Sequence, residues 1–293
     1  MRLPLAVPAL AMLPVLMPCA FGQSAQSLTN PDWIKPFPPF HMVGNVYWVG
    51  TYDLSSYLIT TPAGHILINT GLAQTVPQIK AGIEQLGFKL SDVKILTATH
   101  GHFDHVAGLA ELKQMTGARV MMSEQDAELL ESGAKSDFRF GDDPGARFEP
   151  VQVDRRLNNG NKIELGGVIL TAHHHPGHTK GATSFTFDVR ENNKIYRVGI
   201  MNMPGINPGV RVGGMPKFPE IAQAYARTFH DQKEMKIDVW LASHAAQFDM
   251  HKKYQQGDAY NPDRFVDPTG FQAAVARLEK LYRDQLVQEQ QSK

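Results

Sequence analysis

Apolar positions along this chain fall mostly into short runs bounded by Gly, Pro, Asn and Asp, with a few longer stretches of helical period between them. Residues 46–49, 56–59 and 66–68 are rich in β-branched and aromatic side chains and read as strands, with Pro62-Ala63-Gly64 as a hairpin turn. Residues 75–86 read as a helix: Pro77 suits its first turn, Ile79, Ile83 and Leu86 share a face, and Gly87 ends it. An apolar strand follows at 93–98, then a helix at 106–116 with Leu109 and Leu112 inward and Gly117 as its stop. A short strand comes next at 120–122. Ser123 is placed to cap a further helix, with Asp126 at the position of a capping-box partner. Residues 133–150 are polar and without period. Two hairpins follow, 162–165 with 168–172 around Gly166-Gly167, and 183–189 with 194–200 over Glu191-Asn192-Asn193. A helix at 219–236 and a strand at 237–241 precede a long helix at 269–288, with Phe271, Val275, Leu278, Leu281 and Tyr282 on one side. Strands and helices, then strands and helices again, predict an α/β protein of two packed sheets with helices outside.

The N-terminus changes the picture of where this fold works. Arg2, the uncharged stretch 3–17 and the small residues of Ala20-Phe21-Gly22 make residues 1–22 a secretory signal peptide. Pro4, Pro8, Pro14 and Pro18 break the run too often for a membrane span, and Pro18 is a poor residue before a lipidated Cys19. The expectation is a soluble protein exported to a bacterial periplasm, with residues 23–293 as one domain and 23–39 as a polar, Pro-rich arm over its surface. Cys19 is the only cysteine and leaves with the signal, so neither a disulfide nor a thiolate ligand is open to the mature chain. Lys and Arg total 29, as do Asp and Glu, and no basic run exists. Nucleic acid and anionic membranes are therefore disfavoured as partners, and a small-molecule substrate and a monomer suit the neutral chain.

The chemistry concentrates in Thr99-His100-Gly101-His102-Phe103-Asp104-His105, directly after the 93–98 strand. In extended chain, side chains two apart share a face, so His100 and His102 reach one ion together. Asp104 and His105 fall where the chain turns into a helix and point to a second. Two further histidines stand at strand ends or turns, His178 after Pro176-Gly177 and His244 after Ser243. His100, His102 and His178 would hold a first ion, and Asp104, His105 and His244 a second. Imidazole and carboxylate donors without thiolate suit zinc, which needs three protein ligands and a place for water when it is catalytic. Two zinc ions a few ångströms apart share and acidify a water to attack a carbonyl, so no side-chain nucleophile is needed. Ser91-Asp92-Val93-Lys94 matches a serine acyl-enzyme pattern but lacks its companion motifs and reads as a turn. His173, His174 and His175 read as strand residues, one of them within reach of a ligand, and His41, His65, His230 and His251 as surface or structural residues.

The His100-x-His102-x-Asp104-His105 stretch with His178 and His244 resembles the metallo-β-lactamase superfamily. The longer strings Val49-Gly50-Thr51-Tyr52-Asp53-Leu54, Ile66-Leu67-Ile68-Asn69-Thr70-Gly71, His174-His175-Pro176-Gly177-His178-Thr179-Lys180-Gly181 and Val266-Asp267-Pro268-Thr269-Gly270 resemble its subclass B3, in particular the GOB-type enzymes. The resemblance implies a four-layer αββα sandwich, two zinc ions per chain, and hydrolysis of the β-lactam amide of penicillins, cephalosporins and carbapenems, conferring antibiotic resistance. It carries the first-zinc set to His100, His102 and His178 and the second to Asp104, His105 and His244, with Asp104 also positioning the attacking hydroxide. It puts Met203 and Gly205 at the substrate-carboxylate positions, where many subclass B3 enzymes have serines, and Asn69 where a side chain holds the metal loop. His100 departs from the GOB type, which has Gln there, and restores a three-histidine site.

Two alternatives follow from the same residues. A lactonase or glyoxalase II-like thioesterase would share the metal motif, but such enzymes place a bridging Asp where this chain has Val198-Gly199-Ile200-Met201-Asn202-Met203. A non-catalytic periplasmic zinc-binding protein would use the same donors without turnover, yet six ligands with open positions are an uneconomical zinc store.

Overall fold

The computed structural model describes residues 30–292, so the signal peptide expected at 1–22 lies outside the described residues. The first sheet has seven strands in chain order: β1 (Phe40–Val43), β2 (Val46–Trp48), β3 (Tyr57–Thr61), β4 (Gly64–Ile68), β5 (Val93–Thr97), β6 (Arg119–Ser123) and β7 (Arg155–Leu157). The second has five: β8 (Lys162–Leu165), β9 (Val168–His174), β10 (Thr183–Glu191), β11 (Lys194–Met201) and β12 (Val239–Ala242). The β1–β4 strands pair antiparallel and β4 to β7 parallel, while β12 runs parallel to β11 at the edge of an otherwise antiparallel sheet. Both sheets are mixed, as expected.

Strand alternation explains the layering. Ile66 and Ile68 of β4 turn to a core shared with Phe185, Phe187 and Val198 of the second sheet. Leu67, between them, turns to the other face and packs with Leu58, Leu96 and Val120 against helices. Those helices are α1 (Val76–Gln85), α2 (Phe103–Val106), α3 (Leu109–Thr116) and α4 (Glu124–Ser132). Their apolar stripes, such as Ile79 and Ile83 or Leu109 and Leu112, are fully buried. On the other side lie α5 (Ile221–Glu234), the short α6 (Met250–Lys253) and α7 (Pro268–Gln291). Tyr225 and Phe229 of α5 stack on Tyr282 of α7 at ring separations of 5.5 Å. Helix, sheet, sheet, helix is the αββα order.

Three local readings are corrected. The helix read over 106–116 is two helices, broken at Ala107-Gly108, because there the chain passes so close to Thr70 that a Cβ on Gly108 would lie 2.6 Å from its carbonyl oxygen. Ser123 stands at the start of α4 but makes no side-chain cap, since Asp126 is turned away to other donors. Leu281 does not join the buried face of α7: it is 52% exposed, while Phe271, Val275 and Tyr282 carry the packing.

Candidate metal centre

The candidate ligand histidines stand just past the C-terminal ends of β5, β9 and β12. Past β5 the chain bends at Thr99 and His100, and His102 has the extended conformation of an N-cap before α2 delivers Asp104 and His105. His178 follows Gly177, whose φ of +138° and whose approach to Tyr225, where a Cβ would lie 2.8 Å from the ring, admit no side chain. His244 follows the end of β12.

The imidazoles of His100, His102 and His178 have ring centres 4.6 to 4.9 Å apart, at steep mutual angles. Ligand atoms from all three lie within 4.8 Å of one another. Asp104 Oδ2 lies 3.1 Å from His105 Nε2 and 3.4 Å from His244 Nε2. His100 stands between the two groups, since its ligand atom is also within 4.8 Å of those of Asp104 and His105. His244 reaches the second group through Asp104. The structure thus brings together all six residues singled out in the sequence.

The donor chemistry fits zinc. The Nε2 atoms of His100 and His105 are buried with no hydrogen-bond partner, a costly arrangement for a polar atom unless something else binds it. Two other ring nitrogens are hydrogen-bonded away from the centre, and a third faces a carboxylate there. His178 Nδ1 meets the Gly205 carbonyl at 2.8 Å, His244 Nδ1 meets Asp53 Oδ2 at 3.0 Å, and His102 Nε2 faces Asp137 Oδ2 at 3.4 Å. Such partners select the tautomer and aim the free nitrogen, as carboxylates and carbonyls do behind metal-bound histidines. Burial, then the neighbouring imidazoles, holds His100 well below its ordinary pKa, and burial with His102 brings His178 down to about 3, so both are neutral and ready for a metal. Burial opposes charge on His244 as well, but Asp104 and Asp53 carry it up to about 9. Burial would raise Asp104, yet His105 and His244 hold it well below the usual carboxylate range.

Four supporting residues escaped the sequence reading. Asp126 is fully buried and joins the two ligand loops: its carboxylate accepts from Gly101 N–H at 2.9 Å, the Thr179 hydroxyl at 2.6 Å and Gly181 N–H at 2.7 Å. Its one sequence signal is a place on the same face of α4 as the buried Leu129 and Leu130. Asp137, from the polar 133–150 loop, backs His102, and Asp53 backs His244. Trp33, from the N-terminal arm, donates Nε1–H to Asp53 at 3.2 Å and packs beside His244. Asn69 was singled out, and its Oδ1 accepts from Thr99 N–H at 2.9 Å, next to His100. Met203 and Gly205 were too, but neither lines the pocket: Met203 is buried in the core, and Gly205 gives its carbonyl to His178 and the Tyr225 hydroxyl. The triple histidine is structural. His173 bonds Thr186, His174 the Lys180 carbonyl, and His175 Ser184.

His102, Asp104, His178 and His244 open onto a pocket of about 260 Å³, walled by Trp33, Phe103, Arg139, Phe140, Asn207 and Pro208.

Comparison with known proteins agrees with this geometry. The metallo-β-lactamase superfamily model matches residues 49–191. Over 88% of this chain and 97% of its own, a β-lactamase from Chitinophaga pinensis is 45% identical with a TM-score of 0.86. The metallo-β-lactamase GOB-18 from Elizabethkingia meningoseptica is 43% identical over 89% of this chain and 96% of its own, and the class B3 di-zinc metallo-β-lactamase LRA-12 from an Alaskan soil metagenome is 46% identical over 89% and 98%, both at 0.86. Among curated relatives, the hydroxyacylglutathione hydrolase of Rhodopseudomonas palustris (strain BisB5) is 29% identical over 46% of this chain, which spans only 44% of that relative's length. With a shared fold, near-complete coverage and the metal-binding constellation in place, the chain belongs to the metallo-β-lactamase superfamily, beside its subclass B3 members.

Proposed function

We propose that this protein hydrolyses the amide bond of β-lactams, carbapenems included, and so confers resistance to them. Its two zinc ions would be held by His100, His102 and His178 and by Asp104, His105 and His244. The convergence of these six donors, four of them lining one pocket, with buried imidazole nitrogens left unpartnered, is the observation that carries the reading. Zinc bound there supplies a Lewis acid for the lactam carbonyl and a source of hydroxide near neutral pH.

The chain's own groups do the positioning. Asp137, Gly205 and Asp53 keep the rings of His102, His178 and His244 aimed inward, so little reorganisation is needed as the reaction proceeds. Asp104 offers the carboxylate oxygen of the pocket floor, where it accepts a proton-side hydrogen bond from the attacking water and turns its lone pair to the carbonyl. Trp33, Phe103 and Phe140 present aromatic surface that displaces solvent around a bicyclic substrate. At the end of β11 the chain reads Met201-Asn202-Met203, with no carboxylate to bridge two ions, and this favours a lactam over the thioester or lactone reading.

The same proposal covers the setting: residues 1–22 direct export to the periplasm, and residues 23–293 act there as a monomeric domain. No helix among the described residues is long and apolar enough to cross a membrane. Carbapenem turnover that a chelator abolishes and zinc restores is the expected result. Zinc-loaded protein that leaves carbapenems intact but cleaves a thioester or lactone would overturn the reading.

A further inference from the structure

Bicyclic β-lactams carry a carboxylate on the carbon next to the lactam nitrogen, so a site that holds one must place a donor near the scissile bond. Between Met203 and Gly205, the Met203 side chain and the Gly205 amide supply none. Met203 is buried, Gly205 N–H is turned back to the Met203 carbonyl at 2.8 Å, and the Gly205 carbonyl is an acceptor already in use. Across the pocket, on the 133–150 loop, Arg139 shares the wall with His102 and His178 and is the one cationic side chain there besides the histidines.

The guanidinium is held in place without being neutralised. Its Nε donates to the Pro208 carbonyl at 2.7 Å, and its plane lies over the Phe140 ring at 4.8 Å. Asp137, two residues earlier, spends Oδ1 on the backbone N–H groups of Arg139 and Phe140, both at 2.6 Å, and turns Oδ2 to His102. The loop's acid thus serves the metal ligand, and no carboxylate among the described residues pairs with the arginine. Both Nη groups are left with their donors, in the fixed fork that matches a carboxylate.

We propose that Arg139 receives the substrate carboxylate and sets the enzyme's preference for β-lactams that bear one. The proposal rests on the β-lactam reading of the site. Asn207, on the same wall, adds a neutral amide beside it. The order in sequence is economical, because one short turn orients a metal ligand through Asp137 and aims a substrate donor through Arg139.

The test compares a β-lactam with its methyl ester, in which the carboxylate charge is removed and a methyl group added. Zinc-loaded wild-type protein should show a KM about 10–100-fold lower for the acid, the worth of a charge-assisted hydrogen-bonded pair. Arg139→Gln and Arg139→Met should bring the two KM values together by raising that of the acid, with zinc content unaltered. Arg139→Lys, which keeps the charge but not the fork, should fall between. General damage to the loop would lower acid and ester turnover together and leave their ratio intact, and that outcome overturns the assignment, as does a wild-type enzyme with no preference for the acid. A zinc-loaded wild-type enzyme that cleaves neither compound overturns the β-lactam reading itself, and Arg139's role with it.

Discussion

The carboxylate of Asp126 and the hydroxyl of Thr179 meet at 2.6 Å across 53 positions of sequence. With the bonds from Gly101 and Gly181, this contact fastens the His100–His102 loop to the His178 loop. Asp126→Ala would leave three buried donors unpaired, at about 1–3 kcal/mol for each that finds no water. Thermal unfolding should show a loss of about 3–5 kcal/mol, with first-zinc affinity about 10–100-fold weaker. Asp126→Asn should lose less, since its amide oxygen still accepts.

The carboxylates behind the histidines back different proposed ligand sets. Asp137 faces His102, and Asp53 faces His244. Zinc titration of Asp137→Ala should weaken the first ion, and of Asp53→Ala the second, each about 10–100-fold. If both variants weakened the same ion, the ligand sets would be wrongly divided.

Asn69 has a φ of 63°, so replacing it disturbs backbone and side chain together. Asn69→Gly keeps the backbone conformation at no steric cost and deletes only the bonds to Thr99. Both Asn69→Gly and Asn69→Ala should bind zinc about 10–100-fold more weakly, and Ala should cost about 1 kcal/mol more in stability. Wild-type affinity in the Gly variant would remove Asn69 from the support of the metal loop.

If zinc is held by residues from both sheets, as proposed, its removal should lower stability. At free zinc about 1,000 times Kd the contribution is about 4 kcal/mol, or a Tm shift on the order of 10 °C for a domain of this size. Calorimetry with and without chelator reads it directly. An unchanged Tm would mean the imidazole cluster does not bind the ion.

What the sequence made legible was local. His100, His102, Asp104 and His105 sit within six positions of a strand end, and His178 and His244 follow turn or strand signals of their own. Alternation and helical period were enough to foresee two sheets with helices outside. The supports were not legible, because each depends on where distant chain returns. Asp126 looked like a cap because Ser123 precedes it by three, and only the fold brings Gly101 and Thr179 to its carboxylate. Asp137 and Arg139 lay in a polar loop without period, and Trp33 in an arm with no pattern at all. Gly108 breaks a helix for the sake of Thr70, a neighbour that no helix-stop rule could name.

The central claim is a pair of zinc ions on six named donors. Counting zinc per folded chain by native mass spectrometry at saturating metal tests it most directly, with His178→Ala and His244→Ala measured beside the wild type. The account predicts two ions for the wild type and one for each variant. A wild-type chain that saturates at one ion, or variants that still hold two, would contradict it.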